Sequence, residues 1–381
     1  MTANADVVEG TTVPSGTEVP HGTGRPDGTH GADGTQLTSD TQLTSDTPVP
    51  AYGVGAGPAT AELPTQLVAR TRAMATDVTV RMVLRGRAIA DPRAVRASQA
   101  ALNAAVAVFG EVETECTRFD PASALMRANA NPGGWVGVPP TCYLSLSEAW
   151  TAYRRTGGLF DPRVLRELIT LGYDRSLPFA AGEVVLDGAS QDATPQRASW
   201  APEFRPLTHQ VHLQEPVDLG GIGKGLAVRW ARDRLWTACD DFLIEAGGDC
   251  YCAGLEPGGG PWGIGVEDPL GGDSVAVLSL TDRACTTSSI RLRRWQVGGR
   301  TVHHLIDPRT GAPGGAGLLA VTVVDDDPAT AEVSSKTLFL AGADGIADAC
   351  TATGAAALWV AEDGSLGTSA AMEPYVAWRS R

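Results

Sequence analysis

Residues 76–84, TDVTVRMVL, alternate between apolar and polar positions, the period-two pattern of a strand with one buried face. Shorter β-rich runs at 183–187, 210–214, 242–246, 262–266, 275–280, 320–325 and 356–361 read as further strands. Elsewhere the apolar spacing lengthens to that of a helix. Residues 92–115 open on Asp91-Pro92, which sets a proline in the first helical turn. Residues 141–157, 224–238 and 330–352 read as three more helices. Strands and helices do not alternate regularly, so the pattern predicts an α+β fold, mixed sheets with flanking helices, rather than a doubly wound sheet. The polar, proline-broken stretch 187–207 predicts a surface loop. Residues 1–65 are rich in Gly, Thr, Pro and Asp, poor in large apolar groups, and repeat TQLTSD at 35–40 and 41–46. Such a segment cannot bury enough surface to offset its ordering entropy, so a disordered, low-complexity tail is expected there and a folded domain over 66–381.

Charge narrows the function. The chain carries 30 Lys and Arg against 44 Asp and Glu, a net of -14. One base and eight acids in residues 1–65 place half of that excess in the tail. A nucleic-acid partner is disfavoured, because a phosphate backbone calls for a basic surface. The seven cysteines are odd in number and form no C-x-x-C pair, which favours reduced thiols in a cytosolic protein over a disulfide frame or a zinc site. Cys250 and Cys252 are expected on opposite sides of a strand. The N-terminus has no basic and apolar leader, and there is no run of 18 apolar residues, so neither a signal peptide nor membrane insertion is expected. A cytoplasmic location is therefore expected.

Four stretches could carry chemistry. In Val217-Asp-Leu-Gly-Gly-Ile-Gly-Lys-Gly-Leu-Ala227 an acidic residue ends a strand, a glycine-rich turn follows, and a helix starts at the lysine. Backbone N–H groups at such a turn favour phosphate, and a lysine adds a point charge, although a plain strand-to-helix turn has the same look. In His303-His-Leu-Ile-Asp-Pro-Arg-Thr-Gly311 two of the six histidines precede a turn sequence. A histidine near neutrality can take a proton from a hydroxyl nucleophile. Gly157-Gly-Leu-Phe-Asp-Pro162 and Glu245-Ala-Gly-Gly-Asp249, the latter followed by Pro261-Trp262, place glycine pairs where backbone can approach a ligand, or simply turn.

Taken in order, these pieces resemble the FAD:protein FMN transferases, the ApbE-type family. The family's M-G-T looks like Met74-Ala75-Thr76, and its S-x-Y-x-x-x-S segment with a following N looks like Thr117–Ser123 with Asn129. G-x-F-D-P appears at Gly158–Pro162, D-L-G-G-I-A-K-G at Asp218–Gly225, and A-G-G-D at Ala246–Asp249. T-S and H-I-I-D-P-x-T-G appear as Thr287-Ser288 and His304–Gly311. The resemblance covers about residues 66–381 and implies an ApbE-like catalytic domain.

It implies that FAD binds with a divalent metal, Mg2+, at its diphosphate. A Ser or Thr hydroxyl of an acceptor flavoprotein subunit or FMN-binding domain then attacks the phosphorus on the riboflavin side, and AMP leaves. His304 becomes the candidate base, with Asp307 beside it. Met74, Phe119, Leu159, Phe160 and Asp161 would line the flavin or adenine, Ile306 would lie near them, and Asp218 and Lys224 would contact FAD. The metal would be held by the Gly221 carbonyl, Glu332 and Ser335. The family's A-D-x-x-S-T metal sequence reads Ala331-Glu-Val-Ser-Ser-Lys336 here, so an ammonium stands where a hydroxyl is expected. Two other readings stay open: a protein that binds FAD or hydrolyses it without protein transfer, and a flavin carrier or assembly factor for a redox complex.

Overall fold

The computed structural model describes residues 65–176, 184–186 and 198–380. The expected tail lies outside the described residues, as do residues 187–197 of the expected loop. Strand β1 (Thr65–Ala73) pairs antiparallel with β2 (Thr76–Leu84), leaving Met74 and Ala75 as a two-residue turn with φ of 55° and 60°. Positive φ at both turn residues matches the twist of the two strands. A second two-residue turn, Gly247-Gly248, joins β3 (Phe242–Ala246) to β4 (Asp249–Ala253). With β5 (Arg283–Ser289), β6 (Leu318–Asp325), β7 (Ala356–Ala361) and β8 (Leu366–Thr368) these form one eight-stranded sheet. Its strands lie in chain order, every neighbouring pair antiparallel.

Both faces of this sheet are covered. Val78, Val80, Met82, Ile244, Tyr251, Val321 and Val323 face the main core, which helices α1 (Pro92–Cys116), α2 (Pro140–Arg155), α3 (Gly223–Leu235), α4 (Pro328–Phe339) and α5 (Gly342–Thr353) complete. On the other face Val83, Leu243, Ala320, Val324 and Leu358 meet a small sheet of Trp262–Val266, Ala276–Leu280 and Val376–Arg379. The fold is therefore α+β. A third cluster joins Leu168 and Leu171 to Trp295, Val297, Val302 and Ile306 of the hairpin region after β5.

Three expectations need correction. Residues 330–352 form two helices, because Gly342 takes φ 71° and turns the chain between α4 and α5. Part of the expected loop is ordered as strand: Glu203–Arg205 pairs with Gln210–His212. Cys250 and Cys252 share one face with Cys285, in the layer under the small sheet, as side chains two apart on a strand must. All seven cysteines are unpaired. Among the described residues no helix is long and apolar enough to cross a membrane.

Candidate active site

The site forms where the two tight turns of the sheet meet the start of α3. The backbone leading into α3 is irregular from Pro216 to Leu219 and is held from outside. Asn129 donates from Nδ2 to the Val217 carbonyl (2.8 Å) and accepts the Val217 N–H at Oδ1 (2.9 Å). The next residue, Asp218, donates its N–H to the Pro162 carbonyl at 2.7 Å, and its Oδ1 accepts from Gly220 N–H at 2.9 Å. The helix then starts against α4. A Cβ on Gly225 would lie 2.6 Å from the Pro328 carbonyl oxygen, so only glycine permits this approach. One turn along α4, Glu332 Oε2 accepts the Gly225 N–H at 2.7 Å. That N–H is one of the donors every helix start leaves without an internal partner.

Around Glu332 the charges converge. Its side chain is 1% exposed, with Lys336 Nζ 3.1 Å and Lys224 Nζ 3.5 Å from Oε1. Lys224 also contacts buried Asp249, whose Oδ1 accepts the Thr287 N–H at 3.3 Å. Burial would raise Glu332, but Lys336, Lys224 and the Gly225 N–H together hold it below the ordinary carboxylate range. Burial lowers the Lys224 ammonium to about 8, with the charges of Lys336 and Arg293 acting the same way and Glu332 opposing them.

His304 stands beside this cluster. Its Nδ1 lies 3.3 Å from the Arg293 carbonyl, a geometry in which an Nδ1–H donates and leaves Nε2 as the acceptor. Burial, then the charges of Arg293, His303 and Lys336, push its pKa well below 6.5, so the ring is neutral near pH 7. His303 packs edge-on against Phe339 and is pushed down to about 4 by burial.

The remaining expected residues divide. Met74 Cε lies 3.2 Å from where a Cβ would stand on Gly223, which ties the first turn to the start of α3. Phe160 Cε2 lies 3.0 Å from the equivalent point on Gly221, and the Lys336 Cδ and Cε lie 3.6 Å from it. Phe119 is 41% exposed, and the Arg118 guanidinium lies 4.2 Å from its ring centroid and 4.4 Å from that of Tyr173. Leu159 is half-buried in the turn before Phe160. Asp161 is buried and engaged by Arg163 through Nη2 (2.8 Å) and Nε (3.0 Å). Asp307 is likewise engaged by Arg309 (Nη2, 2.7 Å) and accepts the backbone N–H of Arg309, so it organises the turn after His304. Ile306 is buried in the cluster around Trp295. Ser335 shares a 2.7 Å hydrogen bond with Ser288 and donates to the Glu332 carbonyl.

Sequence reasoning passed over Arg118, Arg293 and the role of Asp249. Arg118 is buried, lies 3.6 Å from Asp218, and has Nη2 buried without a partner among the described residues. An orphaned guanidinium N–H at a glycine-rich turn suits an anion. Its adjacency to Phe119 was the signal that could have found it.

The residues do not fit the divalent ion that the motif implies. A magnesium ion asks for near-octahedral oxygen donors. Here the Glu332 carboxylate is shared by two ammoniums and an N–H, Asp249 is taken by Lys224 and the Thr287 N–H, the Ser335 hydroxyl is engaged, and Lys336 lies beside Gly221. A divalent cation about 4 Å from an ammonium would be repelled by about 8 kcal/mol at an effective dielectric of about 20. Among the described residues no group of three His, Cys, Asp or Glu could hold a metal.

The fold and site thus define an α+β protein with a glycine-rich turn flanked by part-buried lysines and a neutral histidine close by. The model of the ApbE family matches residues 74–359, and the chain belongs to that family. It is 30% identical over 213 residues to an FAD:protein FMN transferase of Chlamydia pneumoniae, a stretch covering 54% of this chain and 64% of that protein, less than two thirds of its length. The ApbE protein of Thermotoga maritima has a similar structure (TM-score 0.65, 28% identity), covering 81% of this chain and 99% of that one. The flavin transferase ApbE of Vibrio cholerae shares the fold at 22% identity (TM-score 0.64), covering 82% of this chain and 99% of that one.

Proposed function

We propose that this chain transfers FMN from FAD to a Ser or Thr hydroxyl of an acceptor flavoprotein, releasing AMP. The observation that carries the reading is the convergence of Lys224, Lys336 and neutral His304 on the glycine-rich start of α3, in a member of the ApbE family. FAD brings a dianionic diphosphate to this place. Lys224 and Lys336 carry charge suited to its oxygens, and Arg118 adds a donor near Asp218. The acceptor oxygen forms a bond to the FMN phosphorus, the bond from that phosphorus to the AMP oxygen breaks, and AMP departs with the electron pair. His304 Nε2 takes the hydroxyl proton. Charge stabilisation at phosphorus dominates such a transfer, with the base contributing roughly 10²–10⁴ in rate. Met74 and Phe160 lie against the glycines of the turn, and Phe119 offers an exposed ring for stacking. Asp161, Asp307 and Ile306 act through position, since their side chains are engaged elsewhere. Glu332 and Ser335 likewise shape the lysine cluster rather than a metal shell. Seven unpaired thiols support a reducing compartment, the cytoplasm.

The test is intact mass spectrometry of a candidate acceptor incubated with FAD and the full chain in Mg2+-containing buffer. The expected result is an added mass of one FMN on the acceptor with one AMP released. FMN and AMP released without labelling would make the protein a hydrolase, and stoichiometric FAD binding without turnover would make it a carrier.

A further inference from the structure

Lys336 is not a surface lysine. Its side chain is 18% exposed, its stem lies beside Gly221, and its ammonium reaches Glu332 Oε1 at 3.1 Å and the Glu332 carbonyl at 3.4 Å. An ammonium has three donors, so one remains after these two contacts. The cluster's two carboxylates, Glu332 and Asp249, are matched by two ammoniums, Lys224 and Lys336. Arg293 adds a further positive charge that is felt at Lys224 and His304. We propose that the Lys336 ammonium is a built-in cation that takes the place of a divalent metal, so that FAD binding by this chain is metal-independent. The proposal rests on the FMN-transfer reading for the identity of the ligand.

Three features support this exchange. The spacing Glu332 to Lys336 is one helical turn, which sets the ammonium on the same face as the carboxylate. The hydroxyl nearest in sequence, Ser335, is already engaged by Ser288 and by the Glu332 carbonyl. The four-carbon stem of lysine lets the ammonium move from the carboxylate to a phosphate oxygen without moving the helix. Lys224 would remain on Glu332 and Asp249, so neither carboxylate would be left buried without a counter-charge.

The measurement is FAD affinity of the full chain, read by flavin fluorescence, in EDTA and in millimolar Mg2+. The wild type should bind equally in both, within about twofold. Lys336→Met should weaken binding in EDTA by about tenfold or more. Lys336→Thr, which restores a hydroxyl, should bind weakly in EDTA and recover in Mg2+, and that recovery also shows that the variant folds. Wild-type affinity that collapses in EDTA and returns with Mg2+ overturns the proposal alone, as does unchanged binding by Lys336→Met. Absence of FAD binding under both conditions overturns the flavin reading and the proposal with it.

Discussion

Asn129 replaces a missing sheet ladder. Val217 lies in irregular, fully buried backbone one residue before the glycine-rich turn, and both of its main-chain groups bond to this one carboxamide, at 2.8 and 2.9 Å. Asn129→Ala removes both partners at once. A buried polar group left without a partner costs about 1–3 kcal/mol, so two of them would cost about 2–6 kcal/mol. Water entering the vacated space would offset part of that, leaving about 2–4 kcal/mol. At about 1.5 °C per kcal/mol for a folded part of roughly 300 residues this is a fall in melting temperature of about 3–6 °C, readable by calorimetry. Asn129→Asp separates hydrogen bonding from volume. It is nearly isosteric and keeps the acceptor for the Val217 N–H, but it sets an oxygen against the Val217 carbonyl. If the bonds carry the effect, Asp should be as damaging as Ala at pH 7. FAD affinity should fall in both variants, because Asp218 and the turn lose their anchor. An Asn129→Asp protein within about 1 °C of wild type, with Asn129→Ala strongly destabilised, would show that packing rather than the clamp holds the segment.

The two histidines give a pH signature. His304→Ala should cut turnover by roughly 10²–10⁴ with FAD still bound. In the wild type the acid limb of kcat/KM should fall below pH 6.5, because the base loses activity only on protonation and its pKa is depressed. An acid limb at or above 6.5 would remove His304 as the base. His303 is pushed down to about 4 by burial. The unfolded chain therefore takes up that proton first, and stability is lost as pH falls from about 6.5 towards 4, by up to about 3 kcal/mol. His303→Leu should flatten this part of a urea-denaturation pH series, and an unchanged slope would refute the assignment. Ala75 sits at φ 60° where an L side chain is strained, so Ala75→Gly should be neutral or stabilising by about 1 kcal/mol in the same assay. A clear loss of stability would show that the Ala75 methyl packs usefully.

What the sequence made visible depended on how many faces of each element meet solvent or differ in polarity. Phe242–Ala246, Trp262–Val266 and Ala356–Ala361 were found to the residue. Strand β4, DCYCA, is buried at every position between helices and small sheet, so it shows no alternation to read. Strand β5, RACTTSS, looks like a polar loop because Thr286 and Ser288 are buried polar groups facing the inside of the fold. The break at Gly342 was hidden by apolar spacing that continues across it. In the site, the glycine-rich turn, Lys224, His304, Glu332 and the anomaly at Lys336 were legible because each sits in a short motif of the family pattern. Arg118 and Arg293 were not. Each acts on residues about a hundred or seventy positions away, Asp218 and Lys224, and such meetings exist only after the sheet has closed. The positions of Asp161 and Asp307 were legible, but their engagement by Arg163 and Arg309 two residues on was not weighed.

Glu332 explains why these parts form one device. A carboxylate this deeply buried is costly unless its lone pairs are met, and it is met by three groups on two helices: Gly225 and Lys224 at the start of α3, and Lys336 on its own helix. Removing one partner from such an arrangement penalises the fold, so the geometry is held before any ligand arrives. The same two ammoniums are the groups best placed for a diphosphate. Binding would then be an exchange of anionic partners by a cation already stationed at the turn, with only the Lys336 side chain moving, and little reorganisation would remain for the transition state. The exchange also accounts for how a chain with a net charge of -14 can take an anionic substrate. Long-range repulsion between exposed charges is screened within about 10 Å at moderate salt, and inside that distance the local sum of Lys224, Lys336 and Arg293 against Glu332 and Asp249 is positive.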